Sequence, residues 1–285
     1  MKVLVLGATG MAGHTISLYF KEKGHEVTGF SRNKIEYCDK SITGDVTDFT
    51  YLNRIVDEGN YDAIINAIGI LNKDAEDNKA LAVLINSYLP HFLVDITQNT
   101  KTRIIQMSTD CVFSGEKGGY SENSFRDGET FYDRSKALGE VENNKDLTFR
   151  NSIIGPDQNM NGIGLLNWFM KQKGEVNGFT KAIWTGVTTL TLAKAMEKAL
   201  EENLTGLYNL VNNNMISKFD LLKLFNKYLR SDTLTILKSD AIEVDKSLVN
   251  KRNDFSFIVP SYEEMVSEMR VWIEEHKEFY PHYFQ

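Results

Sequence analysis

The sequence predicts a doubly wound α/β fold, a parallel sheet with helices on both faces. Three observations predict it: an apolar strand running into a glycine turn at the start, alternating strand-like and helix-like segments behind it, and no repeat or low-complexity tract to break the alternation. Val3-Leu4-Val5-Leu6 reads as a buried parallel strand, because successive apolar residues suit a strand covered on both faces. Glycines follow at 7, 10 and 13. Gly7 permits a sharp turn, Gly10 keeps side-chain atoms away from the N-terminus of the following helix, and Gly13 lets that helix approach the sheet. With the amphipathic segment Thr15 to Lys23 behind it, this turn is expected to bind a pyrophosphate.

Further along, Glu26 to Phe30 reads as strand, Phe49 to Glu58 as helix and Ala63 to Asn66 as strand. Asn78 to Gln98 reads as a long helix, Arg103 to Met107 as strand and Tyr132 to Asn143 as helix. Ligands of such sheets bind at the carboxyl ends of the strands. Beyond a soft boundary near residue 150, helices at Leu165 to Lys171, Thr189 to Glu202, Lys218 to Leu229 and Tyr262 to His276 surround short strands such as Leu207 to Leu210. The expected division is a Rossmann-type dinucleotide-binding domain over 1–150 and a smaller mixed α/β substrate-binding lobe over 151–285, with segments free to cross.

Composition narrows the class. The 285 residues are 42% hydrophobic and 25% charged with a formal net charge of -7, so no basic surplus exists to displace counterions from nucleic acid. No apolar run reads as approaching the roughly 20 residues of a membrane span. The N-terminal strand is needed by the fold, which argues against a cleaved signal peptide. Two cysteines, Cys38 and Cys111, lack metal-ligand spacing, and together with the absence of a leader they point to the reducing cytoplasm. No metal site is expected.

The second strand ends in Ser31-Arg32, with no acidic residue to accept hydrogen bonds from an adenosine ribose. Arg32 can pair with a 2′-phosphate and Ser31 can donate to it, which favours NADP over NAD. The competing reading of Arg32 is a solvated loop charge. In Gly44-Asp45-Val46, Asp45 is placed to accept from the adenine amino group or to cap the helix near Phe49, a role that suits Asp48 better. Asn66-Ala67-Ile68-Gly69 supplies small residues along a nicotinamide-ribose path. Chemistry is expected from Ser108-Thr109-Asp110 and from Tyr132 and Lys136. Residues at i and i+4 share a helix face, and an ammonium beside a phenol favours the phenolate. Tyr19 and Lys23 have the same spacing, but only Tyr132 begins a helix after a strand ending in Ser-Thr.

Taken together, GATGMAG, NAIG, Asn86 within LINSYLP, STDCVFSG, YDRSKALGE, FRNSIIGP and GLYNLVNNNMISKFDLL resemble extended short-chain dehydrogenases/reductases. Within them the chain is similar to the dTDP-4-dehydrorhamnose reductase group, over most of its length. That resemblance implies Thr109, Tyr132 and Lys136 as a catalytic trio, with Lys136 also holding the nicotinamide ribose. It implies an NADPH/NADP site lined by Gly7, Thr9, Gly10, Met11, Ser31, Arg32, Asp45, Val46, Ala67, Gly69, Ser108 and Lys136, and a substrate contact from Asn86; the flat indole of Trp184, in a Gly-containing loop context, is a second candidate contact for the nucleotide base. The implied activity is NADPH-dependent reduction of a 4-keto-6-deoxy sugar on a nucleoside diphosphate. Asp133 replaces a common Gly, and Trp184-Thr185-Gly186-Val187-Thr188-Thr189 departs from the usual substrate-lobe sequence.

Related 4,6-dehydratases carry Thr-Asp-Glu, whereas the third position here is Cys111, a poor carboxyl substitute. The alternatives kept open are a nucleotide-sugar epimerase and a non-catalytic subunit resembling the β subunit of methionine adenosyltransferase. A homodimer is the candidate assembly. Trp184 is expected in a ligand-facing loop and Trp168 in the core. His25 and His91 are expected to be structural or exposed, and the aromatic tail from Phe279 to Phe284 to dock on the body.

Overall fold

Side chains alternate along the first strand, and the two faces they reach become the two halves of the core. Val3 and Val5 join Ile16 and Phe20 on one side of the sheet, while Leu4 and Leu6 join Leu52, Ile55 and Leu89 on the other. The computed structural model describes residues 1–284. Its elements are β1 (Lys2–Leu6), α1 (Met11–Glu22), β2 (Glu26–Ser31), β3 (Lys40–Thr43), α2 (Phe49–Gly59), β4 (Ala63–Asn66), α3 (Asn72–Asp77), α4 (Lys79–Ala82), a π-helical turn (Val83–Tyr88), α5 (Leu89–Thr97) and β5 (Arg103–Ser108). Then come α6 (Phe131–Leu138), β6 (Leu147–Arg150), β7 (Ile153–Ile154), α7 (Leu165–Met170), β8 (Glu175–Trp184), β9 (Val187–Thr188), α8 (Thr189–Glu201), β10 (Gly206–Asn209), β11 (Ile216–Ser217), α9 (Lys218–Leu229), β12 (Thr235–Asp245) and α10 (Tyr262–Glu275).

The central sheet runs β10-β6-β5-β4-β1-β2-β3, every pair parallel. The order reverses beside β1, and the crevice above that switch point is where such sheets bind ligands. A three-stranded sheet, β11-β8-β12, and the β7-β9 pair lie outside it. A segment crosses the soft division near residue 150: β10 returns from the second half to pair with β6 at the sheet edge. The second half thus completes the first, and α8 from it supplies core residues beside those of α1.

Three expectations are revised. The helix expected over Tyr132 to Asn143 ends at Leu138 with Gly139 as its C-cap, a position that admits no side chain because a Cβ there would lie 1.8 Å from the Asn86 carbonyl oxygen. Two backbones meet there. The single helix expected over Asn78 to Gln98 is preceded by α3 and widened by the π turn. The stretch Lys79–Thr97 is nonetheless 19 residues long and apolar enough to match a membrane span. Ile85, Leu89 and Leu93 bury one face of it with Ile64 and Ile104, so in this fold it is a core helix.

The aromatic tail docks as expected. Tyr280 is fully buried, its hydroxyl 2.7 Å from His14 Nε2 and accepting from Trp272 Nε1 at 3.2 Å. Burial pushes the His14 imidazole down to about 4, so it stays neutral. His25 bonds Glu197 at 2.8 Å and His91 bonds the Leu138 carbonyl at 2.8 Å, both structural.

Candidate active site

The carboxyl ends of β1, β2 and β4 open into a cleft of about 410 Å³. Gly7 turns the chain there with φ 77°, and a Cβ on it would lie 2.8 Å from Ile68 Cγ1. Gly13 is more constrained, since its Cβ would lie 2.1 Å from the Gly7 carbonyl oxygen. Gly10 caps α1 with extended backbone, and neither a side-chain cap nor a first-turn carboxylate occupies that helix end. The positive end of α1 is thus left for an anion, with Gly7, Thr9 and Gly10 lining the cleft. The residues present fit a pyrophosphate.

At the other end of the cleft lie Ser31, Arg32, Asp45 and Val46, and along its floor Ala67 and Gly69. Arg32 is exposed, and its guanidinium has no hydrogen-bond or ion-pair partner among the described residues. The Ser31 hydroxyl donates to the Asn33 carbonyl and accepts from Asn33 N at 3.2 Å, so it also shapes the turn that presents Arg32. Asp45 accepts from Thr47 N at 2.9 Å and from Thr47 Oγ1 at 2.8 Å. These bonds hold its carboxyl below the usual range, with Arg32 adding to the effect. Asp48 caps α2 by accepting from Tyr51 N at 2.9 Å.

The three residues read as catalytic come from two elements. Thr109 follows β5 and caps a short 3-10 turn, accepting from Cys111 N at 3.1 Å and donating to Asp110 Oδ1 at 3.2 Å. Tyr132 and Lys136 sit one turn apart on α6, both nearly buried. A capping box starts this helix: Thr130 Oγ1 accepts from Asp133 N at 3.1 Å, and Asp133 Oδ2 accepts from Thr130 N at 3.2 Å. Asp133 is therefore committed to the helix end. Asp133→Gly is expected to cost about 1–2 kcal/mol through the lost cap and the added backbone freedom, with turnover within a few-fold of wild type. Chemical denaturation and initial rates check both halves, and a large rate loss at unchanged stability would place Asp133 in the chemistry.

Lys136 Nζ donates to the Met107 carbonyl at 2.7 Å. Burial lowers the ammonium to about 8, and the Glu140 carboxylate works against that fall. A Cβ on Gly69 would lie 4.0 Å from Lys136 Nζ, so the ammonium stands at the β4 end of the cleft. The phenol departs from expectation. Burial, then the neighbouring Cys111, push Tyr132 up, while the Thr109 hydroxyl favours the phenolate. Lys136 is turned to Met107 instead of the phenol, so Tyr132 is a neutral proton holder in this state. Burial pushes the Cys111 thiol up to about 12, which removes it from acid–base work near neutrality.

Several expected contacts fall elsewhere. Asn86 is fully buried in the π turn, where its Nδ2 donates to the Ile70 carbonyl at 2.9 Å and to Ser135 Oγ at 3.1 Å, and its Oδ1 accepts from Ile70 N at 2.8 Å. It clamps the loop after β4 to α6, with both Nδ2 hydrogens engaged. The Ser108 hydroxyl donates to Glu140 Oε1 at 2.6 Å. Met11 opens α1 and reaches the segment before α7, where a Cβ on Gly164 would lie 3.1 Å from its sulfur. The two tryptophans exchange places: Trp184 ends β8 at 2% exposure against Tyr262, while Trp168 is 42% exposed. Trp184 is core because β8 is a central strand of its sheet, not the loop expected.

Charged groups missed by the sequence reading surround the trio. Arg150, without exposed surface, grips Glu140 with two bonds of 2.8 and 2.7 Å, and Arg126 adds a third contact. Glu140 follows Tyr132 and Lys136 at the next four-residue step, a spacing that could have drawn attention to it. Lys218 and Lys246, from the second half of the chain, act electrostatically on Asp110, whose carboxyl burial pushes up. No local pattern marks these two.

Sheet order and glycine turn define the class: a Rossmann-type fold of the extended short-chain dehydrogenase/reductase kind, with a cleft at the switch point. The chain belongs to the RmlD substrate binding domain family, whose model matches residues 1–257. It is 30% identical over 143 residues to the probable low-salt glycan biosynthesis reductase Agl14 of Haloferax volcanii, covering 49% of this chain and 48% of that protein. To the dTDP-4-dehydrorhamnose reductase of Mycobacterium tuberculosis strain CDC 1551 it is 28% identical over 145 residues, 49% of this chain and 44% of that one. The chain thus spans about half the length of these curated relatives. A dTDP-4-dehydrorhamnose reductase from Bacillus anthracis strain Ames, solved in complex with NADP, shares the fold with a TM-score of 0.79 at 20% identity, covering 95% of this chain and 99% of that one.

Proposed function

We propose that this protein is a cytoplasmic reductase that uses NADPH to convert the 4-keto group of a nucleoside-diphosphate-linked 6-deoxy sugar to a hydroxyl. The observation that carries the reading is the placement of Lys136 Nζ beside Gly69, which joins the trio to the floor of the dinucleotide cleft. The names of the relatives, reductases acting in glycan biosynthesis or on dTDP-4-dehydrorhamnose, support the same chemistry. When bound, a reduced nicotinamide supplies the hydride. Gly7, Gly10 and the start of α1 would hold its pyrophosphate, and Lys136, with donors to spare beyond Met107, its ribose.

The residues of the chain do the rest. Thr109 Oγ1 and the Tyr132 phenol position the substrate oxygen, and Tyr132 gives that oxygen its proton as negative charge develops there. A phenol pushed up by burial keeps its proton until an alkoxide demands it. The ammonium of Lys136 then stabilises the phenolate left behind. Dehydration has no carboxyl at position 111 to serve it.

The test is loss of NADPH absorbance with 4-keto-6-deoxy sugars carried on dTDP, UDP and GDP, products checked by mass. NADPH binding with no reduction of any of them would move the reading to an epimerase or a binding subunit. Arg32 supplies a second measurement. Its unpaired guanidinium is placed for a 2′-phosphate, and a charge-assisted contact is worth about 1.5–3 kcal/mol. Arg32→Ala is expected to reduce the NADPH-over-NADH preference by about tenfold or more, read by titrating both cofactors. Equal affinities in wild type would remove the 2′-phosphate role.

A further inference from the structure

The segment after α10 holds α1 at both ends. Glu22 Oε1, on the last residue of α1, lies 2.6 Å from His276 Nε2, and His14 Nε2, one turn into α1, lies 2.7 Å from the Tyr280 hydroxyl. The second contact is one link in a chain of bonds. Trp272 Nε1 can only donate, and it donates to the Tyr280 oxygen at 3.2 Å. The Tyr280 proton is left for His14 Nε2. A neutral imidazole that accepts at Nε2 carries its proton on Nδ1, and Nδ1 lies 3.0 Å from the Gly10 carbonyl oxygen.

Gly10 is where this chain of bonds meets the cleft at the carboxyl ends of β1, β2 and β4, which it lines. Its carbonyl also accepts from His14 N at 3.0 Å, so two donors act on one oxygen. The N–H of that peptide unit belongs to Met11. With the N–H groups of Ala12 and Gly13 it has no acceptor among the described residues, as expected of the first turn of a helix. Donors on the oxygen of a peptide unit polarise it, which strengthens its N–H as a donor. A second contact from the same segment steadies the turn: Tyr37 donates to the Ala8 carbonyl at 2.6 Å and meets the Phe279 ring edge-on, centroids 5.4 Å apart.

We infer that Tyr280, acting through His14, is a positioning residue for the dinucleotide, orienting and strengthening the Met11 N–H that receives the pyrophosphate. This rests on the dinucleotide reading above and adds to it a control on affinity from outside the cleft. Without the Tyr280 hydroxyl, the His14 proton is free to move to Nε2. A bare Nδ1 then faces the Gly10 oxygen, acceptor against acceptor.

The full chain would be titrated calorimetrically beside Tyr280→Phe, which keeps the ring, and His14→Leu. Tyr262→Phe is the control for lost stability, because Tyr262, at the start of α10, donates its buried hydroxyl to the Asn214 carbonyl instead. The probes are NADP+, 2′-phospho-ADP-ribose, which keeps the diphosphate and lacks the nicotinamide, and adenosine 2′-monophosphate, which lacks both. Tyr280→Phe and His14→Leu should each lose about three- to tenfold for NADP+ and for 2′-phospho-ADP-ribose alike, and bind adenosine 2′-monophosphate as wild type does. The control should bind all three as wild type does. If His14→Leu does not fold, Tyr280→Phe decides alone. Wild-type affinity for NADP+ in Tyr280→Phe overturns the inference. So does an equal loss for adenosine 2′-monophosphate, which reports a damaged cleft, a loss confined to NADP+, which places the effect at the nicotinamide, or a matching loss in the control. A wild type that binds none of the three overturns the dinucleotide reading with it.

Discussion

Tyr132→Phe is expected to lower turnover by ~10²–10⁴-fold while NADPH affinity stays within about twofold, because the change removes a positioned general acid and little else. The phenol is nearly buried at the start of α6, with Thr109 favouring its ionised form and Lys136 one turn away. Phenylalanine fills the same volume, so the fold should persist. Tyr19→Phe is the matched control, since Tyr19 has the same spacing to Lys23 but its hydroxyl donates to Glu197 at 2.7 Å, where α1 meets α8. It should keep full turnover. The pH profile carries a second signature. Lys136 titrates at about 8, and the ammonium is needed to stabilise the phenolate, so the rate should fall as pH rises through that value. Initial rates of NADPH oxidation across pH settle both, and Tyr132→Phe at full activity would refute the mechanism.

What was legible in the sequence were features whose cause is local. The continuous apolar run of β1, the glycines forced by Gly7 φ and by the Gly13 contact, and the Tyr132–Lys136 spacing each follow from a few consecutive residues. What escaped depends on partners distant in the chain. Position 139 must be glycine because the Asn86 carbonyl lies against it, and nothing near Gly139 announces that. Asn86 itself read as a substrate contact, yet three hydrogen bonds make it a clamp. Trp168 sits in an apolar hexapeptide and still faces outward, because α7 buries Leu166 and Phe169 instead.

Glu140→Ala should be the most destabilising of these substitutions, because it leaves two arginines facing a void. Arg150 has no exposed surface, and its guanidinium, 5.0 Å from the Phe113 ring, is paired with the Glu140 carboxylate through two bonds. Breaking a buried pair by deleting one partner costs about 3–5 kcal/mol, since the surviving charge cannot return to water. For a chain of this size that is on the order of 10 °C in melting temperature. The Ser108 hydroxyl loses its acceptor at the same time, so the carboxyl end of β5, which carries Thr109, should loosen with it. The sign of the pH dependence follows from the carboxyl. Burial would raise it, but the Arg150 bonds and charge, with Ser108 and Arg126, outweigh burial and hold it below its ordinary value. A carboxyl depressed on folding contributes stability above its unfolded value of roughly 4.3 and loses it as pH falls through the folded value. The stability gap between wild type and Glu140→Ala, measured by urea denaturation, should therefore be full at pH 7 and shrink below about pH 4.3. A gap that stayed constant down to the pH of acid unfolding would mean that packing, rather than the charge of Glu140, accounts for the loss.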